Sequence, residues 1–233
     1  MNDAKGKIVD ELVIANRILA NEGVLDAFGH ISMRHPEHPD NFLMSCSRAP
    51  KQVAFDDIIE YNANSEPITP PNQPLYIERY IHGSIYRARP DVHAICHHHA
   101  PQVMSFCVSG KPLIPVYQHG AMIGPHVPFW DSREHFGDTN LLIVNAEQGD
   151  SLANALGQNS MVLMRHHGAT VVGTSLAELV FRSIAACKNA QFLHAGRVLG
   201  PVEGLTPGEI AMAGKVSPNA INRAWSYWSA RLS

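Results

Sequence analysis

No block of lysine and arginine occurs anywhere in the 233 residues, and the formal net charge is −3. A nucleic-acid or anionic-membrane partner therefore has no electrostatic support. No apolar run is long enough to cross a bilayer. The polar start MNDAKGK leads straight into a helical pattern without the apolar core of a signal peptide. A cytoplasmic chain is the expectation. The four cysteines (Cys46, Cys96, Cys107, Cys187) include no Cys-x-x-Cys pair and read as reduced, buried thiols. No internal repeat or low-complexity linker divides the chain. At 45% apolar and 17% charged content, residues 1–233 read as one domain with a sizeable core.

What the chain has in excess is histidine, fourteen in all. Imidazole is the commonest protein metal ligand, so the spacing of these residues matters. The helical period over 4–22 puts Ile8, Leu12, Ala15, Ile18 and Leu19 on one face. Strands are expected at 29–34 and 41–47, joined by a turn at 36–41, with a loop over 61–74. A helix is expected over 75–88, ending at Arg89-Pro90. A short strand at 92–96 precedes a helical turn from Pro101, and 112–150 reads as short strands and loops. A buried strand at 161–164 runs into His166-His167-Gly168. Helices over 176–198 and 219–228 complete the pattern. Strands interleaved with helices imply an α/β fold with a central sheet covered by helices.

Residues 97–99 read His-His-His. On a strand, His97 and His99 share one face and His98 points to the other. A His-x-His pair can bind one metal ion, or it can be two hydrogen-bonded histidines at a strand end. A third ligand would leave coordination positions open for substrate. His167 is the candidate, because Gly168 lets the chain turn at the end of a strand, and His166 competes with it. Glu78 and His82 stand at i and i+4. They read either as a solvated pair or as an acid/base or ligand group beside a metal.

The run YIERYIHGSIYRARPDVHAICHHHAP, followed by VLMRHHGATVVG, resembles the class II aldolase/adducin family. GHIS at 29–32 is similar to that family's early Gly-Asn-x-Ser, and the likeness extends from the first helix to about residue 200. The resemblance implies a three-layer α/β/α sandwich around a mainly antiparallel sheet. It also implies a homotetramer with active sites at subunit interfaces, and one divalent metal ion per subunit held by His97, His99 and His167. Manganese or zinc is the expected ion, with iron and cobalt admitted by the ligand set. Glu78 would be the catalytic carboxylate.

Departures from the family's phosphate-binding pattern narrow the substrate. His30 stands where the aldolases have Asn, Ser47-Arg48 replaces a Ser/Thr-Gly pair, and Tyr76-Ile77 replaces two serines before Glu78. Small hydroxyls and exposed backbone N–H groups cradle a phosphate, and Tyr and Ile cannot. Arg48 offers a planar fork for a carboxylate, or is a surface arginine in a salt bridge. Tyr76 could pack on a flat ring or serve as a helix-start core residue. His119, with Tyr117 as the alternative, aligns with a proton donor that the aldolases take from a neighbouring subunit.

These departures resemble the family's decarboxylase branch, which acts on hydroxylated aromatic or pyridine dicarboxylates. Examples are 3-hydroxy-2-methylpyridine-4,5-dicarboxylate, of vitamin B6 degradation, and dihydroxyphthalates. The expected substrate contacts are His30, Ser47, Arg48 and Tyr76, with Glu78 or His119 supplying the proton. A sugar or sugar-phosphate aldolase or epimerase is the alternative reaction. A non-catalytic, adducin-like interaction domain is the alternative of another class, although it would be expected to lose the metal histidines. A His-x-His hydrolase lacks support, since Pro101 stands where its Asp would be.

Overall fold

A computed structural model describes residues 3–232. In chain order the helices are α1 (Asp3–Asn21), α2 (Arg79–Ala88), α3 (Pro101–Ser109), α4 (Arg133–Phe136), α5 (Ala146–Leu156), α6 (Leu176–Leu199), α7 (Pro207–Ala213) and α8 (Pro218–Ser229). The strands are β1 (His30–Arg34), β2 (Phe42–Ser45), β3 (Ile58–Tyr61), β4 (Ala94–His98), β5 (Phe129–Trp130), β6 (Met161–Met164) and β7 (Gly168–Gly173).

The strands form one sheet in the order β3-β2-β1-β4-β7-β6-β5. Every pairing is antiparallel except β5 with β6. Alternation along the strands sends successive side chains to opposite faces, and each face builds its own core. Ile31, Cys96, Ala169 and Val171 pack under α1, α3 and α6. Ile95, Val162, Met164 and Val172 pack with Ile81, Ile85, Leu152 and Leu156 of α2 and α5. This is the three-layer arrangement expected from the sequence. Among the described residues, no helix is long and apolar enough to cross a membrane.

Three stretches depart from the sequence reading by more than their end residues. The strand expected at 92–96 runs Ala94–His98 instead. The Val92 N–H is donated back to the Arg89 carbonyl at 3.1 Å, so the turn after α2 delays pairing. The shift matters because it carries His97 and His98 into the ladder and leaves His99 just past its end.

The helix expected from residue 75 starts at Arg79, and Glu78 is its cap. Residues 74–77 are tied elsewhere: the Ser47 N–H donates to the Pro74 carbonyl at 2.8 Å, and the Tyr76 hydroxyl donates to the Arg48 carbonyl.

The 112–150 stretch contains α4, the start of α5 and a 3-10 turn at Gln118–Ile123, with only the two-residue β5 as strand. The Asn145 side chain caps α5 by accepting from the Gln148 N–H at 2.9 Å. Gly149 within it weakens the helical signal in sequence. Neither β3 nor α7 was expected.

Candidate active site

Strand register assembles the site. His30 on β1 is the direct partner of His97 on β4, and His97 is the direct partner of Thr170 on β7. Direct cross-strand partners project to the same face, so these three side chains form a row across the sheet. Gly29 makes the row possible: its φ is +85°, and a Cβ there would stand 2.8 Å from the His97 carbonyl oxygen. Gly168 acts differently from the sharp turn expected of it. The residue with positive φ in that turn is His166, at +53°. Gly168 begins β7, where a Cβ would lie 2.4 Å from the His98 carbonyl oxygen and 2.7 Å from His99 Cδ2. The tight turn leaves His166 exposed and directs His167 into the site.

Glu78, His97, His99 and His167 each bring one donor atom into a group spanning no more than 4.8 Å. Glu78 Oε2 lies 3.6 Å from His97 Nε2 and 3.5 Å from His167 Nε2. His97 Nε2 and His99 Nε2 are 3.0 Å apart. Glu78 Oε1 accepts from the Ile143 N–H at 3.0 Å, which aims the other carboxylate oxygen at the histidines. Burial holds His97 well below the usual imidazole range, and the neighbouring His167 and His99 add to the effect. His99 is lowered too, by burial first and then by His167, with Glu78 and Asp26 opposing. Neutral imidazoles are the form that ligates metal.

The donor set fits a divalent cation. Thr170 Oγ1 donates to Met164 Sδ at 3.7 Å, so it is left to accept from the His97 Nδ1–H, 3.3 Å away. That bond fixes the tautomer and leaves the His97 Nε2 lone pair facing the other ligand atoms. His98 faces the opposite side, fully buried. Its Nδ1 accepts from the Ala100 N–H at 3.3 Å, and burial lowers it to about 3.

Glu78, His99 and His167 line a cleft of about 660 Å³, with His97 buried behind them. His30, Ser47, Arg48 and Tyr76, the expected substrate contacts, all line it. Phe28, Ala49, Leu75, Ile77 and Leu142 make much of the remaining surface apolar. Tyr76 is not a helix-start residue; its ring lies 4.7 Å from the His30 ring. Arg48 does form a salt bridge, with Nε 3.1 Å from Oδ2 of the buried Asp57. Glu78 and His82 are not a solvated pair, for both are buried. His82 turns to the sheet, with Nε2 2.7 Å from His30 Nδ1 and Nδ1 2.6 Å from Ser32 Oγ. Burial lowers His82 to about 3 and holds His30 well below its ordinary value.

His119 and Tyr117 are not in this cleft. They line a separate, smaller cavity with Phe181, Lys188, Phe192 and Trp228. Thr170, Asp57 and Ser32 were missed in the sequence reading. Ser32 lies within GHIS and Thr170 within VLMRHHGATVVG, but neither motif carries a signal of their hydrogen bonds.

Comparison with known proteins agrees with this architecture. The chain is 33% identical to the decarboxylase tropJ of Talaromyces stipitatus over 235 aligned residues, covering 91% of this chain and 88% of that one. It is 26% identical to a 3,4-dihydroxyphthalate decarboxylase of Arthrobacter keyseri, covering 96% of this chain and 93% of that one. Its fold superposes on an L-fuculose 1-phosphate aldolase from Glaciozyma antarctica with a TM-score of 0.81 at 25% identity, covering 98% and 89% of the two chains. Residues 10–194 match the class II aldolase and adducin N-terminal domain, and the chain belongs to that family.

Proposed function

We propose that this protein is a metal-dependent decarboxylase of a hydroxylated aromatic or pyridine dicarboxylate. The observation that carries the reading is a Glu-His-His-His cluster opening onto a cleft whose remaining lining is largely apolar. Two similar proteins named as decarboxylases, one of them for a dihydroxyphthalate, support it. His97, His99 and His167 would hold one divalent ion, manganese or zinc, with iron or cobalt also suited to imidazole ligands. When bound, that ion supplies Lewis acidity toward a substrate oxygen and two positive charges in a cleft where Arg48 is already offset by Asp57.

The chain's own groups do the rest. Tyr76 and the apolar residues around it seat a planar ring. Arg48 and His30 hold the carboxylate that stays. The bond from the ring carbon to the departing carboxylate breaks, its electron pair remains on the ring carbon, and carbon dioxide leaves. Glu78 relays a proton to that carbon, taking it up from water and passing it on, so that the carboxyl group is unchanged at the end of the turnover. His119 is outside this chain's cleft, so it would act only in a neighbour's, within a tetramer whose sites lie between subunits.

The aldolase alternative is weakened by the cleft, since Tyr76 and Ile77 offer no phosphate cradle. The test is to incubate metal-loaded protein with hydroxypyridine and dihydroxyphthalate dicarboxylates and measure carbon dioxide. Release from one of them is the expected result. No release from any, with cleavage of a sugar phosphate, would overturn the reading.

A further inference from the structure

Behind His30 lies a line of buried polar groups. Tyr86 Oη is 2.8 Å from Ser32 Oγ, which is 2.6 Å from His82 Nδ1, and His82 Nε2 is 2.7 Å from His30 Nδ1. All four residues are buried. We infer that Ser32, His82 and Tyr86 form a one-way hydrogen-bond chain that holds His30 as its Nε2–H tautomer, so that His30 offers the cleft a donor and no lone pair.

Only two directions are open to such a chain. Each hydroxyl has one proton, and each neutral imidazole has one. In the inward direction Tyr86 donates to Ser32, Ser32 to His82 Nδ1, and His82 Nε2–H to His30 Nδ1. Every donor is then used, and the His30 proton is left on Nε2. In the outward direction His30 donates to His82, His82 to Ser32 and Ser32 to Tyr86. The Tyr86 proton then has no acceptor, because among the described residues no second partner of its hydroxyl is found. A buried donor without an acceptor is costly where the local dielectric is low. The Arg34 guanidinium, 4.7 Å over the Tyr86 ring, is fastened by bonds to the Val92, Tyr86 and Arg89 carbonyls, each at 2.9 Å. A fixed cation on the ring face strengthens the phenol as a donor and favours the inward direction.

The consequence bears on the site. His30 Nε2 has no partner among the described residues, and the ring lines the cleft. An N–H there can donate to a substrate carboxylate or a developing oxyanion. It cannot ligate a metal, although His30 is the direct strand partner of His97. That the donor's target is substrate oxygen rests on the decarboxylase reading; the direction of the chain does not.

The test uses full-length protein labelled with nitrogen-15 in histidine, metal-free and zinc-loaded. Ring tautomers are read from long-range proton–nitrogen spectra, with His30→Gln identifying the signal. The expected result is His30 protonated at Nε2 alone. In Ser32→Ala the His82 ring loses its directing donor, and His30 becomes a mixture of tautomers. Ser32→Thr, which keeps the hydroxyl, restores the single form and confirms that the Ala effect is not a folding defect. Tyr86→Phe keeps it too, because Ser32 then becomes the terminal hydroxyl and still donates inward. His30 protonated at Nδ1 in the wild type, or an unchanged His30 in Ser32→Ala, would overturn the inference. The expected tautomers with no decarboxylation of any substrate tried would support the chain and count against the functional reading alone.

Discussion

His30 and His97 are direct partners across β1 and β4, with ring centroids 5.1 Å apart, yet only His97 joins the group of donor atoms around Glu78. Equal position on the sheet does not give equal chemistry. His97 has its Nδ1 against Thr170, which leaves Nε2 free toward the cluster, whereas His30 has its Nδ1 against His82. The two should therefore respond differently to the same substitution. His97→Gln is expected to lower metal affinity by more than about 100-fold, beyond what loss of an outer hydrogen-bond partner costs. His30→Gln should leave metal content near that of the wild type and raise KM. Metal analysis after dialysis, beside initial-rate kinetics, checks both.

Thr170 is the outer partner of His97, one of the proposed ligands. Thr170→Val keeps the shape and removes the acceptor for the His97 Nδ1–H. Metal affinity should fall roughly 10–100-fold, measured by competition with a chromophoric chelator. Unchanged affinity would mean that His97 does not depend on Thr170 for its tautomer.

Glu78 is proposed as the proton carrier, so Glu78→Gln should cut turnover by about 10²–10⁴-fold. Three histidines still hold the ion, and metal content should stay near normal. Full activity in this variant would remove Glu78 from the reaction.

Gly168→Ala tests the close approach of β7 to β4. The added Cβ falls 2.4 Å from a backbone oxygen of β4, which cannot give way as a side chain would. A loss of about 1–3 kcal/mol in unfolding free energy is expected, read from urea denaturation. Metal affinity should fall as well, because His99 is pushed from its place.

The sequence made the ligand chemistry legible and the supports for it largely illegible. His97 and His99 stand out by residue type and spacing, His167 and Glu78 join them through the family resemblance, and the alternation of apolar runs foretells the layers. Thr170, by contrast, meets His97 only through a strand register that no local pattern encodes. Arg48 reads equally as a carboxylate fork or a salt-bridged arginine, and its partner emerges only when a 3-10 turn brings back Asp57, nine residues on. Glu78 looked like a helical residue because the helical period extends back to Leu75. Two tertiary bonds, to Pro74 and from Tyr76, override that local preference. The choice between His166 and His167 depended on which residue takes the positive φ, a property of the finished turn.

Burial of neutral histidines also predicts acid sensitivity. His82 and His98 are each lowered to about 3 from an ordinary value of 6.5, by burial above all. As pH falls below 6.5 the unfolded chain takes up these protons and the folded chain does not, so stability falls toward pH 3. Each histidine contributes a slope approaching about 1.4 kcal/mol per pH unit. Urea midpoints of metal-free protein should be flat above neutrality and fall between pH values of about 6 and 5, well above the carboxylate range. His98→Gln should show a shallower fall.

The account's central claim is that the Glu78, His97, His99 and His167 cluster binds the ion on which decarboxylation depends. Titrating metal-stripped protein with manganese or zinc, while following carbon dioxide release from a hydroxylated dicarboxylate, tests it most directly. Turnover should be absent at first, rise in proportion to added metal and stop rising at one equivalent per chain. Full turnover in stripped protein, unaffected by chelator, would contradict the claim.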